Sequence, residues 1–292
     1  MKVLCVGSCT IDTLIKKNGN ITFSDKSITH IKADEIYDLW GGCAPNVSLG
    51  LKQLKVSVSL FSAPPKNKEY LEYLKKSKVT LFLEGEPEDF RFYAILDNSG
   101  HKSTIFKVDN GIVKAPSKKI IKAHDLVIIS SANKKSILKA ADNCAILSKP
   151  YILDIGNTIF EFEKEEFIKI HKSSFINTMN QKELNFVEKE FKISLIGLSG
   201  NNKQVIITRG EYGADWYFNK KNFHSDILYT KPVDETGCGD AFRVGLIYGL
   251  THNMNKKTCL NLGMFLAYKN VQVFGGQSYT VTKDEMLKFS ML

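Results

Sequence analysis

Short apolar, β-branched runs alternate along the chain with longer stretches in which apolar positions recur every three or four residues. Residues 2–7 (KVLCVG), 56–62 (VSVSLFS), 126–130 (LVIIS), 151–154 (YILD), 173–176 (SSFI) and 204–208 (QVIIT) have the length and content of core strands. Residues 44–54, 67–77, 133–147, 180–191, 238–251 and 256–273 have helical spacing. Strands and helices in turn predict βα units stacked into a mostly parallel sheet, an α/β chain. Residues 13–38 and 79–108 break the alternation. The second contains RFYAILDNSGHKSTIF, which reads as a hairpin turned at Asn98-Ser99-Gly100. Strands inserted early in such a chain predict a small separate sheet, a lid over one edge of a single domain spanning residues 1–292. No repeat or low-complexity linker divides the chain.

Composition narrows the picture only a little. The 292 residues are enough for a core without staples, and 43% apolar with 24% charged residues is ordinary for a globular protein. No run of 18 residues lacks a charge, so no membrane span is expected, and MKVLCVGSCTID reads as a buried strand rather than a secretory leader. A cytoplasmic location is the expectation. The six cysteines (Cys5, Cys9, Cys43, Cys144, Cys238, Cys259) form no CxxC pair, which predicts reduced thiols and no structural zinc. The net charge of +9 comes from lysines dispersed in pairs such as Lys16-Lys17 and Lys118-Lys119. Dispersed charge predicts solvated faces, with neither a nucleic-acid nor a membrane partner.

Residues 233–245, VDETGCGDAFRVG, gather bare backbone and acid in one place. Residues 227–233 (ILYTKPV) read as a strand, and Ala241, Val244, Ile247 and Tyr248 have helical spacing, so TGCGD opens a helix. A first helical turn offers free N–H groups and the positive end of the dipole, and Gly237 and Gly239 let an anion approach them closely. Asp240 would repel a phosphate that only binds. It makes sense where a hydroxyl must lose its proton while the N–H groups hold a phosphoryl in transfer. An ordinary helix start without chemistry is the competing reading. P-loop, protein-kinase, GxGxxG, HExxH and GxSxG signatures are absent.

The stretch resembles the C-terminal signature, DTxGAGD, of the ribokinase-like (PfkB) carbohydrate and nucleoside kinases. GGCAPNVSLGLKQL (41–54) is similar to the family's N-terminal signature, and VGSCTID (6–12) to the strand end whose acid holds sugar hydroxyls. NTMNQKEL (177–184) contains NxxE at Asn180 and Glu183, and VIITRGEYGADWY (205–217) resembles the strand-turn-strand on the nucleotide side. The wording of GGCAPN, TGCGDAFRVGLIYGL and FGGQ (274–277) is closest to prokaryotic adenosine and nucleoside kinases.

The resemblance implies a ribokinase-like fold, with helices on both faces of the sheet and a β lid, and an ATP- and Mg²⁺-dependent kinase. Asp240 would be the base, with Gly237, Cys238 and Gly239 as the anion hole. Asp12 would grip ribose hydroxyls above a floor shaped by Gly41, Gly42 and Asn46. Asn180 and Glu183 would act on Mg²⁺ through water, and Thr208, Arg209 and Gly210 would line the nucleotide groove. The family also allows a monovalent cation such as K⁺ near Asp234 and residues 274–276; a homodimer through the lid is a candidate assembly that no residue of the sequence specifies. An adenosine-like 5′-hydroxyl is the expected acceptor. A sugar or sugar-phosphate kinase and a catalytically silent binding regulator are the alternatives. The segment FSAPPKNKEY (61–70) departs from the family, lacking the usual glycine-aspartate-glycine. Arg91 and Arg243 are phosphate candidates by charge, with an ion-pair role as the competing reading; neither is assigned.

Overall fold

In the computed structural model, which describes residues 1–19, 32–97, 102–106, 114–197 and 203–291, the apolar runs are buried on both faces. Only a sheet covered by helices on both sides allows that. Its strands in chain order are β1 (Lys2–Val6), β4 (Ser57–Ser62), β5 (Thr80–Leu83), β8 (Leu126–Ser130), β9 (Tyr151–Asp154), β10 (Ile176–Asn180), β11 (Gln204–Thr208), β12 (Ala214–Phe218) and β13 (Lys221–Ser225). They lie in the order β13-β12-β11-β10-β9-β8-β1-β4-β5. All pairings are parallel except those of β12 and β13 at one edge.

Alternation along each strand sorts the core into two layers. Val3, Cys5, Ile128, Ile152 and Ile206 face α1 (Cys43–Gln53), α2 (Lys68–Lys76), α7 (Cys238–Thr251), α8 (Lys256–Asn270) and α9 (Lys283–Ser290). Leu4, Val127, Ile129, Leu153 and Val205 face α3 (Lys118–Lys122), α4 (Lys134–Ile146), α5 (Lys164–Ser173) and α6 (Gln181–Glu190). With this architecture the chain is α/β.

The remaining strands, β2 (Thr10–Lys17), β3 (Glu35–Gly41), β6 (Phe90–Asp97) and β7 (Lys102–Phe106), form a second sheet in the order β3-β2-β6-β7. β2 and β6 run parallel, and the outer pairs run antiparallel. The expected turn at 98–100 lies outside the described residues. β3 leans on the 274–276 turn and on α2: Tyr37 stacks on Phe274 at 5.4 Å and Trp40 on Tyr70 at 5.0 Å.

Three expectations shift. Thr80–Leu83, counted with the second insertion, extends the large sheet instead. The strand expected at 173–176 is Ile176–Asn180, because Ser173 still closes α5. Residues 227–233 form no strand; the N–H groups of Val233 and Asp234 both reach the carbonyl of Val271 at the end of α8. Helix α5 escaped the sequence reading, although Glu163 and Glu166 make a capping box ahead of Phe167 and Ile170.

Candidate active site

Two helix starts meet on one side of the large sheet. α1 follows Gly42 at φ 100°, and α7 follows Gly237 at φ 81°, both in a region that L side chains avoid. Glycine brings no side chain to cap either helix, and at α7 the Cys238 N–H donates to the carbonyl of Glu235 at 3.2 Å. The approach is close. A Cβ on Gly237 would stand 2.3 Å from Cα of Gly276, and one on Gly276 would stand 2.4 Å from Nδ2 of Asn46.

That contact carries a hydrogen-bond chain. The amide of Gln277 donates to Oδ1 of Asn46 at 2.7 Å and to the hydroxyl of Tyr70 at 3.1 Å. Tyr70 in turn donates to the carbonyl of Gly41 at 2.6 Å. With Oδ1 occupied, Asn46 presents Nδ2, which donates to Oδ2 of Asp240 at 2.7 Å. The third residue of α7 thus holds a fixed, nearly buried carboxylate, 7% exposed, beside the bare turn Gly237-Cys238-Gly239. Across the Gly41–Asn46 segment lies the Asp12 carboxylate, which accepts from the Thr10 hydroxyl at 2.7 Å. It lies against Gly41, where a Cβ would come within 2.2 Å of Oδ2.

Charge accumulates beneath the turn. Arg243, one helical turn after Asp240, pairs through Nε with Asp154 at the end of β9, and its Nη1 stands 3.7 Å from Oδ1 of Asp240. Burial pushes the Asp154 carboxyl up to about 7 despite Arg243, and Asp240 and Glu183 push the same way. Burial opposes the charge on Arg243, but Asp154 and Asp240 more than offset it and raise its pKa. The Cys43 thiol is held well above the usual range by burial and then by Asp240 and Asp154.

Asn180 and Glu183 serve each other. Oδ1 of Asn180 accepts from the Glu183 N–H at 2.9 Å, while the Glu183 carboxylate accepts from the Asn180 N–H at 2.9 Å and its amide at 2.7 Å. Burial raises the Glu183 pKa against those bonds. Thr208 pairs with Asn180 on one side and Ala214 on the other, and Gly210, at φ 56°, has open space where a side chain would stand. The Arg209 guanidinium is engaged inside the protein by Asp215 at 2.6 Å, Tyr217 at 3.0 Å and Gln181. Asp234 accepts from the N–H groups of Thr236 and Gly275, each at 2.9 Å, tying the approach to α7 to the 274–276 turn.

The structure therefore gathers Gly41, Gly42, Asn46, Asp12, Gly237, Cys238, Gly239 and Asp240 around the two helix starts. Asn180, Glu183, Thr208, Arg209 and Gly210 lie at the carboxyl ends of β10 and β11. Sequence reasoning missed Tyr70 and Gln277. Gln277 stood in the quoted FGGQ without a role, and Tyr70 closes the 61–70 segment that departs from the family. Nothing local to either residue shows that they meet. Among the described residues, no group of three or more His, Cys, Asp or Glu could hold a metal, and no helix is long and apolar enough to cross a membrane.

A parallel sheet under two layers of helices, a second sheet leaning on the site, and an acid at the mouth of a glycine-opened helix are the features that the resemblance in the sequence implies. The chain belongs to the pfkB family of carbohydrate kinases, whose pattern matches residues 1–283, and it is a phosphotransferase with an alcohol acceptor. A nucleoside kinase of Methanocaldococcus jannaschii is 23% identical over 98% of this chain and 96% of its own. The crystal structure of that archaeal kinase superposes with a TM-score of 0.85 at 21% identity, covering 99% of this chain and 98% of its own. A nucleoside kinase of Burkholderia thailandensis in complex with inosine reaches 0.86 at 20% identity, covering 99% and 97%. A ribokinase of Thermotoga maritima reaches 0.79 at 19% identity, covering 100% and 99%.

Proposed function

We propose that the protein transfers the γ-phosphoryl group of ATP to the 5′-hydroxyl of an adenosine-like nucleoside, with Asp240 as the base. The observation that carries the reading is the Asp240 carboxylate, locked by Asn46 at 2.7 Å in the first turn of a helix whose glycine N-cap brings no side chain to it. A base must be fixed within reach of the hydroxyl it deprotonates, and developing phosphoryl charge is best met by preorganised donors. Here one turn supplies both. Asp12 and the Gly41–Asn46 segment lie across from Asp240 and would hold the acceptor's hydroxyls. The second sheet, resting on residues 274–276 through Tyr37, would act as the lid that keeps water from the transferable group. The polyphosphate would lie from the α7 turn toward Thr208 and Gly210.

Mg²⁺ suits this site only through water, because the polar atoms of Asn180 and Glu183 already bond each other. When bound, it would neutralise charge on the β- and γ-phosphates. A monovalent cation such as K⁺ would suit the loop beside Asp234, where the buried Oδ1 of Asn270 has no hydrogen-bond donor. The nucleoside is preferred because two of the similar proteins are nucleoside kinases, one of them in complex with inosine.

ADP release is measured across nucleosides, pentoses, hexoses and sugar phosphates. Turnover of nucleosides alone supports the reading; turnover confined to sugars replaces the acceptor and keeps the chemistry. Asp240→Asn is expected to lower kcat at least about 10²-fold while acceptor binding persists. Unchanged kcat removes Asp240 as base.

A further inference from the structure

Arg243 was left unassigned by the sequence, and its surroundings give it a role. It follows Asp240 by three residues, so the helix stacks both side chains on one face. The guanidinium is almost enclosed, 11% exposed, and Nε is taken by Asp154. The terminal nitrogens are placed differently. Nη1 is 3.7 Å from Oδ1 of Asp240, beyond hydrogen-bond reach, and would stand 2.6 Å from a Cβ on Gly239. The second glycine of the turn therefore makes room for a guanidinium pressed against the backbone that opens α7.

An ion pair holding α7 to β9 would be the plain explanation, but it accounts only for Asp154. Buried pairs are often no more stabilising than apolar residues of the same size. Moreover, Asp154 and Asp240 flank a single guanidinium and Glu183 adds to the negative charge acting on it, an arrangement that repels a polyphosphate unless positive charge faces it. Nη1 and Nη2 are the groups placed to do so.

We propose that Arg243 is a further catalytic residue, anchored by Asp154, whose terminal nitrogens donate to the oxygens of the phosphoryl group in transfer. The proposal rests on the α7 turn being the transfer site. In the step, the acceptor oxygen bonds to the γ-phosphorus as the bond to the ADP oxygen breaks. That electron pair stays on ADP, the hydroxyl proton goes to Asp240, and Arg243 keeps its protons. Arg243 thus adds a charged donor to the neutral N–H groups of the turn.

The test uses ADP–Mg²⁺ with an acceptor that the wild type turns over, titrated with and without aluminium fluoride, a mimic of the phosphoryl in flight. Wild type, Arg243→Gln and Arg243→Gln/Asp154→Asn are compared. In the wild type, fluoride should tighten ADP binding at least about tenfold. Both variants should bind ADP within about threefold of wild type, lose that gain, and turn over about 10²- to 10³-fold more slowly with the acceptor KM unchanged. The double variant removes both buried charges together and serves if the single variant does not fold. Variants that keep the fluoride gain overturn the proposal. A wild type that turns over no acceptor, or gains nothing from fluoride, removes instead the reading of the turn on which the proposal stands.

Discussion

Single missing carbons decide much of this site. Gly41 needs no left-handed backbone; its lack of a Cβ matters because the Asp12 carboxylate fills the space. Gly41→Ala is expected to displace that carboxylate and raise the acceptor KM about 10- to 100-fold, the worth of a charged hydrogen bond, with a smaller change in kcat. Steady-state kinetics measures the split; an unchanged KM would mean that Asp12 does not hold the acceptor. The sequence showed Gly237 and Gly239 as places of close approach, and the resemblance placed Gly41 and Gly42 in the floor of the site. The sequence predicts an anion at Gly237 and Gly239. Gly239 faces the guanidinium of Arg243 and Gly276 faces the amide of Asn46, contacts that no local pattern encodes.

At the scale of elements, legibility follows the distance between partners. Asn180 and Glu183 are three residues apart, and their capping box was visible as a spacing before it was seen as bonds. Asn180→Ala should cost about 1–2 kcal/mol, lowering Tm by a few degrees in a calorimetric scan, because α6 loses its cap and the buried Glu183 loses a donor. A Tm within one degree of wild type would put the box outside the stabilising contacts. Residues 227–233 make the opposite point. They are apolar and β-branched enough to read as a strand, yet Val233 and Asp234 pair with the end of α8, so tertiary contact overrode propensity. The start of β10 was displaced for a related reason: α5 runs on to Ser173, with Ser174 as its C-cap, so the strand begins only at Ile176.

For the whole molecule, stability in acid turns on a histidine far from the chemistry. His171 is 1% exposed in the second core layer, and the amide of Asn177 lies 3.0 Å from its Nδ1. Burial lowers its pKa to about 4, and Lys203 and Lys172 push the same way. The ring is neutral in the folded chain and protonates more readily when unfolded. Its contribution is therefore intact above pH 6.5 and lost as pH falls from 6.5 toward 4, on the order of 3 kcal/mol in the limit. Asp154, raised to about 7, changes stability in the opposite sense between its ordinary value and 7, so the readout is a difference. Denaturant unfolding of His171→Gln should show a shallower loss between pH 6.5 and 4 than wild type; parallel curves would mean that the ring titrates alike in both states. The sequence by itself determined the α/β alternation, the helices over 44–54 and 238–251, and the acids and glycines beside them, because periodicity and backbone freedom are local properties. Only the tertiary structure decided that Asn46 holds Asp240, that Tyr70 and Gln277 hold Asn46, and that Arg243 lies under the turn. Those pairings join residues up to 231 positions apart, and the packing of α1 on α7 brings Asn46 to Asp240.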